Sequence, residues 1–92
     1  MKYFVELSDK AEEHLKLHAK AGNKILLKRI YKLLEELSEH PETGTGKPHK
    51  LKHEKTGIWS RSIDDKHRML YVIHDEVVTV FVVSTWGHYG DK

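Results

Sequence analysis

Apolar residues recur along this chain with two different periods, and the change from one to the other divides it into an N-terminal and a C-terminal half. Tyr3, Val5 and Leu7 alternate with Phe4 and Glu6, which predicts a strand of about six residues ending at Leu7. Ser8 stands where a helix N-cap belongs, with Asp9, Glu12 and Glu13 near the positive end of the helix dipole. A first helix follows, with Ala11, Leu15 and Ala19 four residues apart, and Gly22-Asn23 supplies its stop and the next cap. From Lys24 to Glu39, Leu26, Ile30, Leu33 and Leu37 fall on one helical stripe, while Lys28, Arg29, Lys32, Glu35 and Glu36 populate other faces. His40-Pro41 ends this second helix, because the residue before a proline is steered out of the helical region. Residues Thr43 to Pro48 have no periodicity and read as an exposed loop.

The second half changes to β-branched and aromatic runs. Lys50 to Lys52 fits a brief strand, and Ile58 to Ile63, Arg68 to Ile73 and Val77 to Ser84 fit longer ones. Asp64-Asp65-Lys66 and His74-Asp75 suit the tight turns between them. The expected fold is therefore α+β: β-α-α-β-β-β with one further short strand, two helices packed on one face of a twisted antiparallel sheet. Ninety-two residues suffice for one such domain, spanning 1–92. Val77 to Val83 is far below the roughly 20 residues of a membrane span, and the three apolar positions before Glu6 are too few for a secretion signal. A cytoplasmic chain that does not enter a membrane is expected. The absence of cysteine removes disulfides and thiolate metal sites.

The formal net charge of +2 hides an uneven distribution. Between Gly44 and Arg68 there are seven Lys/Arg against three acids, with three histidines besides, and the rest of the chain is net acidic. Such a strip suits a polyanionic partner, although a solvated surface reads equally well from charge alone. Gly44-Thr45-Gly46 lacks the strand and third glycine of a dinucleotide loop. His14 and His18, at helical spacing, lack the intervening glutamate of a zinc protease motif and read as surface histidines. No metal or cofactor is expected. A curled sheet could still gather Lys47, His49, Lys52, His53, Arg61, Arg68, His88 and Tyr89. Cleaving an RNA backbone by acid–base chemistry requires a base for the ribose 2′-OH, a cation for the pentavalent phosphate and an acid for the leaving 5′-oxygen, roles open to histidine and arginine near neutral pH. Taken singly, Arg61 and Arg68 also read as strand arginines with solvated heads, His88-Tyr89 as a frayed chain end, and Trp59 and Tyr71 as core. The residues by themselves leave a basic α+β domain, RNA-directed or not.

The ordered set Gly44-Thr45-Gly46-Lys47-Pro48, Leu51-Lys52-His53, Gly57-Ile58-Trp59-Ser60-Arg61-Ser62-Ile63, His67-Arg68-Met69-Leu70-Tyr71-Val72 and His88-Tyr89 resembles the Txe/YoeB branch of the RelE/ParE toxin superfamily. The resemblance implies a RelE-like, microbial-ribonuclease-like fold and the toxin of a type II toxin–antitoxin system. Such a toxin cuts mRNA in the ribosomal A site, leaves a 2′,3′-cyclic phosphate, and is blocked by a Phd/YefM-type antitoxin. Carried over, Arg68 stabilises the phosphate, His88 is the general acid and Tyr89 places the substrate. Lys47, Lys50, Lys52, His53 and Arg61 bind RNA, with Lys55 adding charge. A homodimer is a further implied partner, through the apolar face of the second helix. Three departures stand out. His49 occupies the position of the family's usual glutamate base, which leaves the base open, with His49 serving beside His88 as a two-histidine pair and Glu54 as its substitute; Ser62 replaces a second arginine; and Gly90-Asp91-Lys92 continue past the His-Tyr pair. His49 leaves open a toxin-like protein that binds without cutting, and a ribonuclease independent of the ribosome is the third reading.

Overall fold

Two helices cover one face of a five-stranded sheet in this computed structural model, which describes residues 2–51 and 57–85. The elements are β1 (Phe4–Leu7), α1 (Asp9–Lys20), α2 (Lys24–Leu37), β2 (His49–Lys50), β3 (Trp59–Ser62), β4 (His67–His74) and β5 (Val77–Thr85), with the sheet in the order β1-β5-β4-β3-β2. Both helix starts follow their capping residues: Ser8 Oγ accepts the Ala11 N–H at 3.1 Å and Asn23 Oδ1 accepts that of Leu26 at 3.3 Å. α2 ends at Leu37, two residues before the expected Glu39. The Ser38 hydroxyl donates to the Glu35 carbonyl at 2.7 Å and closes the last turn ahead of Pro41.

The sheet is mixed, where an antiparallel one was expected. β1 runs parallel to β5, with Phe4 beside Val77 and Leu7 beside Val80, whereas β2 to β5 form an antiparallel meander. β1 is fixed by backbone bonds at both ends, from Tyr3 N–H to the Ser38 carbonyl (2.7 Å) and from Ser8 N–H to that of Val80 (2.9 Å). The two-residue side-chain period then separates two apolar layers. Met69, Tyr71, Ile63, Val78, Val80 and Val83 face the helices and pack with Ala11, Leu26, Ile30, Leu33 and Leu37. Leu70, Val82 and Ile58 form a smaller cluster on the opposite face, joined by Leu51, Val72 and Phe81. A register shift between Leu70 and Tyr71 separates the Leu70–Val82 pair from the Tyr71–Val80 pair, so that β5 spends one extra residue there.

Candidate nucleic-acid interface

Pairing register decides which of the expected site residues share a face. His49 lies opposite Ser60, Ser60 opposite Leu70, and Ser62 opposite Arg68. Directly paired residues point to one side of a sheet, as do residues two apart along a strand. His49, Ser60, Ser62 and Arg68 therefore occupy the face away from the helices, where Ser60 is buried, Ser62 and Arg68 are half-buried and His49 is exposed. His49 and Arg68 flank β3 and are offset by two residues, a Cα separation of about 12 Å from ordinary strand spacings. Long side chains reaching in from both sides can meet one phosphodiester group.

The approach to Arg68 is set by a tight turn. The Asp64 carboxylate accepts the backbone N–H groups of Lys66 (2.8 Å) and His67 (2.7 Å), and the His67 ring nitrogen Nδ1 lies 3.0 Å from the same oxygen. Burial pushes the Asp64 carboxyl up, but these hydrogen bonds and the His67 charge outweigh it and hold the group below its ordinary value. The turn thus stays closed over the neutral range and delivers Arg68 to the strand entrance, where the guanidinium Nη1 lies 3.4 Å from Ser62 Oγ.

His49 is exposed on the two-residue strand β2, and its Nδ1 lies 3.0 Å from the Lys47 carbonyl oxygen. A carbonyl only accepts, so the neutral ring carries its proton on Nδ1 and its lone pair on Nε2, the form able to take up a proton. Lys47 adopts φ +51°, the left-handed region, in making this turn. Lys47 and Lys50 are both exposed. Lys52, His53, Lys55, His88 and Tyr89, together with Glu54, lie outside the described residues.

Arg61 corrects an expectation. Its place between Ser60 and Ser62 turns it to the helix side, where its side chain is 0% exposed and no phosphate reaches it. Nη1 donates to Glu36 Oε1 at 3.1 Å, and Nη2 to the carbonyls of His40 and Thr43, both at 2.8 Å; the guanidinium carbon lies 5.9 Å from the centre of the Tyr71 ring. Tyr71 stacks on Trp59 and donates its hydroxyl to the Pro41 carbonyl at 2.7 Å. Burial pushes the Glu36 carboxyl up, yet hydrogen bonds from Thr45 and the Arg61 charge keep it below its usual range. The segment from His40 to Gly46, which includes the first part of the exposed loop expected over Thr43 to Pro48, is thereby tied to the core. Gly46 completes the anchor: at φ +90° its carbonyl accepts the Ser62 N–H at 2.8 Å, and a Cβ there would collide with the Ser62 carbonyl oxygen and come within 2.7 Å of Arg61 Cγ. What looked like an RNA contact is the post that holds Lys47 and His49 beside the sheet. The signal was present in the alternation of Trp59, Arg61 and Ile63, whose two apolar members mark the buried side.

His14 and His18 also depart from the surface role expected of them. Both are half-buried and bond to the backbone of Val83.

The model for the "YoeB-like toxin of bacterial type II toxin-antitoxin system" matches residues 8–89. This chain belongs to the YoeB-like toxin family. Toxin YoeB of Synechocystis is 38% identical over 86 residues, covering 94% of this chain and 93% of that one. The structure of a YoeB dimer from Staphylococcus aureus superposes with a TM-score of 0.79 at 29% identity, over 94% of this chain and 99% of that one. A YoeB–YefM complex from the same organism gives a TM-score of 0.77 at 30% identity, with coverages of 94% and 99%. Membership fixes the coarse function, the toxin of a type II toxin–antitoxin system, and the two helices on a mixed five-stranded sheet are the fold of the YoeB-like neighbours.

Proposed function

We propose that this YoeB-like toxin is a ribosome-dependent endoribonuclease that cuts mRNA in the A site by attack of the ribose 2′-OH. The observation that carries the reading is the sheet face, away from the helices, that His49 and Arg68 share one strand either side of β3, with the neutral His49 ring keeping its lone pair on Nε2. In the proposed reaction His49 Nε2 takes the 2′-OH proton, Arg68 stabilises the charge that builds on the pentavalent phosphate, and His88 protonates the departing 5′-oxygen. Tyr89 places the substrate, and Lys47, Lys50, Lys52 and His53 hold the RNA backbone. The site of action is the cytoplasm. A Phd/YefM-type antitoxin that lays an acidic segment over the basic strip accounts for neutralisation; the Staphylococcus aureus YoeB forms a complex with YefM. In a homodimer like that of the Staphylococcus aureus protein, the apolar stripe of α2 is unavailable because it fills the core. Ile25 and Tyr31, 72% and 57% exposed, are the large apolar side chains of α2 that stand clear of the core.

Induced expression of the wild type is expected to arrest growth and fragment translated mRNA, and Arg68→Ala or His88→Ala to relieve both. Toxicity retained in those variants rejects the assignment of the site. The presence of His49 where the family has glutamate favours one second reading, a toxin that occupies the ribosome without cutting. Protection of A-site RNA with no cleaved product would establish it.

A further inference from the structure

The ladder between β1 and β5 stops at the Leu7–Val80 pair, yet β5 runs on to Thr85. Beyond that point α1 takes over the outer edge. His14 and His18, one turn apart on α1, bracket a single residue: the Val83 N–H donates to His14 Nδ1 at 3.3 Å, and His18 Nε2 donates to the Val83 carbonyl at 2.7 Å. Two side chains thus satisfy the pair of backbone groups that a neighbouring strand would otherwise satisfy. Behind them the His67 ring meets His18 edge to face, with ring centres 5.2 Å apart, and is itself held by Asp64. The held residue lies five positions before His88 in the chain.

We infer that His14 and His18 are positioning residues, a two-histidine clasp on the free edge of β5 that sets the course of the strand toward the segment bearing His88, and that the His14 half opens on protonation. The positioning role rests on the reaction proposed above. The two halves respond differently to acid. The Val83 N–H can bond only to a bare Nδ1, so a proton there sets donor against donor. His18 donates to a carbonyl in either charge state. Burial, with Lys10 and His18, holds His14 below its ordinary value of 6.5, against a smaller pull from Glu13. His67 with Asp64 is the titratable pair at the head of β4, β5 has no ionisable side chain, and Glu6 of β1 is exposed beside Phe4 on the far face of the sheet. Because the folded chain resists protonation at His14, the clasp is whole above about pH 6.5 and weakens as the pH falls.

Amide exchange at Val83, followed by NMR between pH 7.5 and 5 and corrected for intrinsic rates, reads the clasp without RNA. Relative to Val78 in the same strand, wild-type Val83 is expected to lose about ten-fold in protection across that range. His14→Gln, whose amide oxygen accepts without titrating, should hold the protection level, and His18→Gln should keep the pH response. On programmed ribosomes, the single-turnover rate of the wild type divided by that of His14→Gln should fall about five-fold from pH 7.5 to pH 5, the effect of one lost hydrogen bond. The ratio cancels titrations common to both proteins. Val83 protection that ignores pH, or that responds equally in His14→Gln, overturns the clasp whatever the RNA shows. A flat rate ratio alongside a responsive Val83 overturns the positioning role. A wild type that cuts nothing at any pH removes the proposed function and the positioning role together, while the exchange data still decide the clasp.

Discussion

Arg61→Ala should lower the unfolding free energy by about 3–5 kcal/mol, the range for removing one partner of a buried ion pair. The loss combines several local effects. Glu36, which also accepts the Thr45 N–H at 3.0 Å, would keep its charge without its cation. The carbonyls of His40 and Thr43 would lose their donor, and a side chain that is 0% exposed would leave a cavity against Tyr71. Arg61→Lys should recover only part of the loss, since one ammonium cannot reach in three directions as the planar guanidinium does. For a domain whose whole stability is about 5–15 kcal/mol, such a change is severe. Urea unfolding at pH 7 measures it. A loss below about 1 kcal/mol, the size for a solvated surface arginine, would contradict the structural role and return Arg61 to the phosphate-binding residues.

Arg68→Ala should behave in the opposite way, with little change in stability and a large change in rate. Arg68 is half-buried, and among the described residues its side-chain partner is the Ser62 hydroxyl at the long distance of 3.4 Å. Truncation should therefore change unfolding by less than about 1 kcal/mol. In the proposed reaction the guanidinium meets charge that exists only at the transition state, so single-turnover cleavage should fall by about 10²–10³-fold, with substrate binding far less affected. His49→Ala should also slow cleavage, and an unchanged rate would pass the role of base to another group. Equal stability and rate losses in Arg68→Ala would mean that the residue serves the fold. The contrast between Arg61 and Arg68, seven residues apart in a strip of similar charge, separates an anchor from a reactive group.

Periodicity carried most of the architecture. The stripe Leu26, Ile30, Leu33 and Leu37 fixed both the existence of α2 and its buried face, and Ser8 and Asn23 marked the helix starts through a hydrogen bond each. Strand alternation carries no information about pairing direction, so the parallel match of β1 with β5 was not visible. Arg61 was misjudged because its charge was given more importance than its parity with Trp59 and Ile63. The loop from Thr43 to Pro48 looked featureless because what orders its first part lies elsewhere in the sequence: Glu36 and Arg61. The His14–His18 pair was seen but tested only as a metal motif; its actual partner, a backbone edge more than sixty residues away, has no residue signature. The resemblance supplied the roles of the candidate residues, and register supplied the common face of His49 and Arg68.

The central claim is cleavage by an internal 2′-OH on the ribosome, and the chemistry of the cut ends tests it most directly. Purified protein added to ribosomes stalled on a defined message should yield an upstream fragment ending in a 2′,3′-cyclic phosphate and a downstream fragment beginning with a 5′-hydroxyl, at a codon in the A site. The same message without ribosomes should stay whole. Ends carrying a 3′-hydroxyl and a 5′-phosphate, or equal cutting of the free message, would contradict the account.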